Sequence, residues 1–81
     1  MSVIYIKEQG SYVKMQGDLV VVTKGTQKLL EYSIHIIENV VVFGNVQITT
    51  QALKRFLENG IDINYFTYSG KYKIGICPQY R

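Results

Sequence analysis

The chain has 81 residues, of which 47% are hydrophobic and 19% are charged, so its composition predicts one small folded domain and excludes both a two-domain enzyme and a disordered chain. Its net charge of +3 permits binding to phosphate but is too small to require it. The single cysteine, Cys77, excludes an internal disulfide, and no apolar run is long enough to span a membrane, so we expect a cytoplasmic protein with no membrane partner.

Alternation of apolar and polar residues dominates the first part of the chain, and this period of two is typical of half-buried strands. Four short strands, joined as hairpins or a meander, are predicted at residues 2–8, 11–16, 19–22 and 27–32. In the second of them, Val13 takes one face while Tyr12 and Lys14 take the other. The third is a continuous apolar run, which favours burial on both faces.

The middle of the chain changes from strand periodicity to helical periodicity. The conformation of 33–39 stays open because its isoleucines do not alternate cleanly, and Val40–Phe43 is an apolar strand. Residues 49–59 are predicted to form a helix that begins at a threonine cap and ends before Gly60. Its apolar stripe consists of Ala52, Leu53, Phe56 and Leu57.

Two further strands are predicted at 61–67 and 71–76, joined by the Ser69-Gly70 turn. A strand, a helix and a strand in that order imply a right-handed crossover, which places Val40–Phe43 parallel to Ile61–Phe66. The predicted fold class is therefore α+β: a mostly antiparallel β roll or small two-layer sandwich, with one helix at about 49–59 covering a sheet.

Candidate groups for metal or nucleophilic chemistry are few. One histidine, His35, and one cysteine are too few for a structural zinc site, and the six carboxylates are scattered singly along the chain. No nucleophile lies in a recognisable strained turn. The sequence therefore predicts no active site and no metal site.

Tyrosines interleaved with lysines suggest contact with nucleic acid, because aromatic faces stack on bases and lysines neutralise phosphate. Tyr12 and Lys14 share one face of a predicted strand and are the best candidates for such a contact. An exposed basic pair such as Lys54 and Arg55 more often belongs to a solvated helix face than to a binding site.

The predicted strands contain more apolar surface than one short helix can cover. Val3–Ile6, Leu19–Val22 and Val40–Phe43 are all apolar, and a small open sheet also leaves edge strands. We therefore expect a second copy of the chain or a further domain to cover the remainder.

The segment Val40–Leu53, VVVFGNVQITTQAL, resembles the amino-terminal β domain of the CRISPR-associated endonuclease and integrase of spacer acquisition. The opening SVIYIKEQG is similar to the first strand and turn of that family. The segment Glu58–Ile63 is similar to its helix end and next strand, and the tail Gly75–Arg81 resembles the start of a linker. The resemblance covers the whole chain.

The resemblance implies a homodimeric, metal-dependent DNA endonuclease and integrase that inserts new spacers in CRISPR adaptive immunity. In that family the β domain builds the dimer, a larger helical domain holds catalytic Mg or Mn, and a small partner subunit and DNA complete the assembly. Residues 1–77 are then the dimerisation domain, and residues 78–81 begin a linker to a helical catalytic domain that this chain lacks. No catalytic or metal-binding residue is expected here.

The resemblance also implies that the paired β domains lie near the ends of a bound duplex. The first turn, with Gln9 and Gly10, and the face of the next strand, with Tyr12 and Lys14, are therefore the expected DNA contact. The residues alone leave two other functions open. One is a free-standing β-rich module that binds nucleic acid, and the other is a purely structural homodimerisation module.

Overall fold

The computed structural model of the chain describes residues 2–69 and 71–76, which form eight strands, one 3-10 helix and one α-helix. The strands are β1 Ser2–Ile6, β2 Ser11–Gln16, β3 Leu19–Lys24, β4 Gln27–Ser33, β5 Ile37–Phe43, β6 Val46–Ile48, β7 Asp62–Phe66 and β8 Tyr72–Ile76. The 3-10 helix Ile34–Ile36 precedes β5, and the α-helix α1 spans Thr50–Glu58. Cys77 and the predicted linker at 78–81 lie outside the described residues.

The strands form two four-stranded sheets around a shared core, which confirms the α+β class. The first sheet has the order β1-β5-β7-β8 and the second has the order β4-β3-β2-β6. Ile4, Val40 and Ile63 of the first sheet belong to the same buried cluster as Val13 and Val22 of the second. Both sheets are mixed, because β5 pairs in parallel with β1 and β7, and β2 pairs in parallel with β6, while the other ladders are antiparallel.

The pairing of β1 corrects the predicted hairpin with β2 and accounts for more parallel pairing than the sequence predicted. β1 lies beside β5 in the first sheet, whereas β2 lies beside β3 and β6 in the second. The turn at Gln9 and Gly10 therefore carries the chain from one sheet to the other. The connection between β5 and β6 makes the same passage, and the Gly10 amide donates a 2.7 Å hydrogen bond to the Asn45 carbonyl oxygen. Because the β1–β2 and β5–β6 connections pass side by side from one sheet to the other, β1 lies parallel to β5 and β2 lies parallel to β6.

The crossover and the helix agree with the sequence prediction. Val40 is the register partner of Ile63 in the parallel β5–β7 ladder. Thr49 caps α1, since its hydroxyl oxygen accepts a 3.2 Å hydrogen bond from the Ala52 amide. Phe56 is fully buried, and α1 contacts β2 of one sheet and β7 of the other. The helix thus covers the core where the two sheets meet.

Burial of β3 on both faces is also confirmed. Val20 and Val22 belong to the central core, and Val21, on the opposite face, is only 3% exposed. The register partners of Val21 are Lys14 and Glu31, whose long side chains can lie over an apolar neighbour. Among the described residues, no helix is long and apolar enough to cross a lipid bilayer.

Candidate nucleic-acid interface

Gln9, predicted to contact DNA, is held in the interior of the turn that joins the two sheets. Its Nε2 atom donates hydrogen bonds to the carbonyl oxygens of Lys7 at 2.9 Å and Phe43 at 2.8 Å. Its Oε1 atom accepts a 2.7 Å hydrogen bond from the Asn45 amide. The Gln9 amide therefore ties the β1–β2 turn to the β5–β6 connection.

Gly10 and Gly44 are the glycines that allow these two connections to approach. Gly10 has φ +83° and Gly44 has φ +74°, both in the left-handed region that favours glycine. A Cβ atom on Gly44 would overlap the side-chain amide of Gln9. The position of Gln9 thus requires a glycine at 44.

Tyr12 and Lys14, the other predicted DNA contacts, lie together on the outer face of the second sheet. Tyr12 is 46% exposed, and its register partners are Thr23 of β3 and Gln47 of β6. Lys14 is also exposed, and within residues 2–69 and 71–76 its ammonium forms no ion pair. The structure therefore places an aromatic ring and an unneutralised cation on one face.

A second aromatic and basic group, which the sequence analysis did not find, lies at the carboxyl end of β1, β5 and β7. The rings of Phe43 and Phe66 stack with centroids 5.2 Å apart and an angle of 25° between their planes. The Lys7 ammonium lies 5.4 Å from the Phe43 ring centroid, in the range of a cation–π contact. Phe43 and Phe66 are register partners in the parallel β5–β7 ladder, and this register would have predicted their contact. The apolar run that ends at Phe43 predicts a strand but not its register.

These residues border a concave surface that we call the Lys7 pocket. Its described lining residues are Lys7, Phe43, Tyr68 and Ser69, and its volume is about 400 Å³. Tyr68 is 73% exposed. The Thr67 and Ser69 hydroxyl oxygens lie 3.1 Å apart, and the Thr67 hydroxyl oxygen accepts a 2.9 Å hydrogen bond from the Lys71 amide.

Several carboxylates are neutralised by nearby cations. Glu8 pairs with Lys24 at 2.9 Å, and Glu31 pairs with Lys28 at 3.1 Å. Asp18 lies close to two basic side chains on the surface, those of Arg55 and His35.

Asp18, in the β2–β3 turn, accepts a 2.9 Å hydrogen bond from Arg55 of α1, and its other carboxylate oxygen lies 3.5 Å from Nε2 of His35. The hydrogen bond from Arg55, and secondarily the one with His35, holds the pKa of the Asp18 carboxyl below its usual value. His35 thus has a structural partner on the surface. Within the part of the chain that the structure describes, no three His, Cys, Asp or Glu side chains converge as a metal site requires.

Comparison with known proteins identifies a family. The family model described as CRISPR associated protein Cas1 matches residues 4–81. The CRISPR-associated endonuclease Cas1 3 of Thermus thermophilus is 28% identical over 78 residues, which cover 94% of this chain and 24% of that relative. The chain thus spans about a quarter of the length of this curated relative.

Two solved structures share the fold. A partial Cas6-RT-Cas1–Cas2 complex aligns with a TM-score of 0.90 at 17% identity, covering 96% of this chain and 24% of that chain. A structure described as a TtCas1–DNA complex aligns with a TM-score of 0.75 at 12% identity, covering 95% of this chain and 29% of that chain. At these identities the likeness concerns the fold alone.

Proposed function

The chain belongs to the Cas1 family of CRISPR-associated proteins, and from this we propose that it is the region through which a metal-dependent DNA endonuclease and integrase of spacer acquisition dimerises and faces DNA. The observation that carries the proposal is the family match over residues 4–81, joined to the two-sheet fold. We propose that this region is the amino-terminal β domain that the sequence predicts at residues 1–77.

Dimerisation is supported by the exposed surface of β1. Among the described strands, β1 has one neighbour, β5, so its other edge is open to pairing. Val3 is 43% exposed and Tyr5 is 59% exposed on the outward face of this strand. An open edge with apolar side chains is a surface that proteins normally cover, and a second copy of the chain covers it symmetrically.

Contact with DNA is supported by Tyr12 and Lys14, which present a ring and a cation on one face of β2. We assign Gln9 and Gly10 a supporting part in this contact. Their turn leads directly into β2, and their hydrogen bonds to the β5–β6 connection hold the turn in place. One structure with the same fold is described as a complex with DNA, which supports DNA as a partner of the whole protein.

The chemistry of the whole protein is assigned to a region outside this chain. We propose that residues 1–77 form the dimerisation domain and that residues 78–81 lead to a helical domain, which holds catalytic Mg or Mn. A small partner subunit is included in the proposal, since one similar structure is described as a Cas1–Cas2 complex. The chain itself is proposed to contain no catalytic centre.

A titration of labelled duplex DNA across salt concentrations tests the DNA-facing part. Lys14→Gln is expected to weaken binding and to reduce the slope of log K against log salt by about 1, because one phosphate contact is lost. Lys28→Gln is the matched control, since the Lys28 ammonium is already paired with Glu31. A folded dimer that binds no DNA at low salt would instead be a purely structural dimerisation module, and a monomer that binds DNA would be a free-standing binding module.

A further inference from the structure

The Lys7 pocket is formed by three parts of the chain that the fold brings together at one end of the first sheet. Lys7 follows β1 and Phe43 ends β5, while Tyr68 and Ser69 belong to the turn after β7. Its volume of about 400 Å³ lies in the range of small-ligand sites, so this surface is concave rather than a flat sheet face.

The chemistry of the lining combines aromatic faces with one cation. Phe43 is stacked on Phe66, and the Lys7 ammonium is held near the Phe43 ring rather than by a carboxylate. Glu8, the next residue in the chain, pairs with Lys24 and so does not neutralise Lys7. The described lining therefore offers a positive charge and hydroxyl groups beside aromatic rings, with no carboxylate among them.

We propose that the Lys7 pocket binds an unpaired nucleotide of a DNA strand, with the base stacked on the exposed ring of Tyr68 and the phosphate next to the Lys7 ammonium. This inference rests on the proposed DNA-facing role of the chain and places a second contact outside the predicted one. An aromatic ring stacks on any base whose face is free, and a lysine contacts phosphate without reading sequence. The pocket is therefore selective for single strands and tolerant of sequence.

The pocket adjoins the predicted DNA contact through a hydrogen bond. The Gln9 amide donates to the Phe43 carbonyl oxygen at 2.8 Å, so the β1–β2 turn is fixed to the strand end that lines the pocket. Tyr12 and Lys14 follow that turn on the outer face of the other sheet. A DNA end at the turn thus has a duplex contact on one side and a site for a separated nucleotide on the other.

Fluorescence anisotropy with a labelled oligothymidine and with a blunt duplex of equal length tests the proposal at low salt. Tyr68→Ala and Lys7→Gln are expected to weaken oligothymidine binding by about five-fold or more each, the scale of one lost stacking or phosphate contact, with a smaller effect on the duplex. Tyr32→Ala and Lys28→Gln are the matched controls on the second sheet, because Tyr32 is also exposed and Lys28 is also a surface lysine. Thymidine monophosphate, added as a competitor, separates a single-nucleotide site from one that needs a longer strand.

The outcomes separate this inference from the proposed function. Loss of oligothymidine binding in the Lys7 and Tyr68 variants, with unchanged controls and unchanged thermal unfolding, supports the pocket. Unchanged oligothymidine binding in both variants, with loss only in Tyr12→Ala and Lys14→Gln, overturns the pocket and leaves the DNA-facing role in place. Equal loss for duplex and oligothymidine contradicts selectivity for an unpaired nucleotide. A folded wild-type chain that binds neither probe overturns both proposals.

Discussion

The side-chain amide of Gln9 donates a hydrogen bond to the carbonyl oxygen of Phe43, which lies 34 residues further along the chain. The same amide accepts a hydrogen bond from the Asn45 backbone. Gln9 therefore links the two connections that pass between the sheets, and its contribution to stability can be measured separately from any contact with DNA.

Gln9→Ala should lower the free energy of unfolding by about 1–3 kcal/mol, because the partly buried Phe43 carbonyl oxygen and the exposed Asn45 amide both lose their hydrogen-bond partner. Urea denaturation measures the change. Gln16→Ala is the control, since Gln16 is exposed at the end of β2, and it should change stability by less than about 0.5 kcal/mol. Equal effects of the two substitutions would show that the Gln9 amide is not a structural link.

Gly44→Ala should be more destabilising than Gly17→Ala, although both glycines have positive φ. Each substitution places alanine in the left-handed region at a cost of about 1–2 kcal/mol. At Gly44 the new Cβ also overlaps the Gln9 amide, whereas at Gly17 no atom lies within 4 Å of it. In urea denaturation the double variant Gln9→Ala with Gly44→Ala should lose less than the sum of the single losses. Strict additivity would contradict the contact.

The local elements of this fold and the parallel pairing of β5 with β7 were accessible from the sequence, whereas the pairing of β1 with β5 and of β2 with β6 was not. Alternation predicts the bounds of β2, and helical periodicity with a threonine cap predicts α1 to within one residue at each end. The predicted hairpin between β1 and β2 was wrong because β1 pairs with β5, more than 30 residues further along the chain, as in Ile4 with Val40. β2 pairs instead with β3 and β6 of the other sheet. Strand β6 was missed because three residues are too few for a periodic pattern.

In the candidate site, too, the sequence predicts the arrangement within one strand but not the contacts between distant segments. The shared face of Tyr12 and Lys14 follows from alternation within one strand. The aromatic pair of Phe43 and Phe66 depends on the register of two parallel strands, and the hydrogen bonds of Gln9 depend on a connection that crosses between sheets. Such contacts arise from tertiary structure, which a single strand pattern does not contain.

Phe56→Ala should cost about 3–5 kcal/mol, since the ring is fully buried in the shared core. This loss is comparable with the whole stability expected of a small domain, so Phe56→Leu serves as a milder variant with a loss between zero and that of alanine. Lys54→Ala, on the exposed face of the same helix, should change the free energy of unfolding by less than about 0.5 kcal/mol. A loss below about 1 kcal/mol for Phe56→Ala in urea denaturation would contradict its position in the core.

The stability contributed by Asp18 should depend on pH. Its pKa is lowered from its ordinary value by the hydrogen bond from Arg55 and, to a smaller extent, by the one with His35. A carboxyl whose pKa is lower in the folded state than in the unfolded state stabilises the fold at pH values above the unfolded-state pKa. This contribution is lost as the pH falls through the folded-state pKa. The difference in urea midpoint between the wild-type chain and Asp18→Asn should therefore be present near neutral pH, shrink below about pH 4 and decrease at high salt. A difference that is constant with pH would contradict the ion pair.

The outward face of β1 should control self-association. Tyr5→Lys places a charge on an edge strand, which is expected to disfavour pairing and to shift the chain toward the monomer. Tyr32→Lys is the matched control, because Tyr32 is also an exposed tyrosine but lies on β4 of the other sheet. Sedimentation velocity measures both, and a shift in the control alone would assign the interface to the second sheet.

The central claim is that this Cas1-family chain is a dimerising, DNA-facing domain, and the molar mass in solution tests it most directly. Multi-angle light scattering of the folded wild-type chain at high micromolar concentration should give twice the mass of one chain. A mass of one chain at that concentration would contradict the claim.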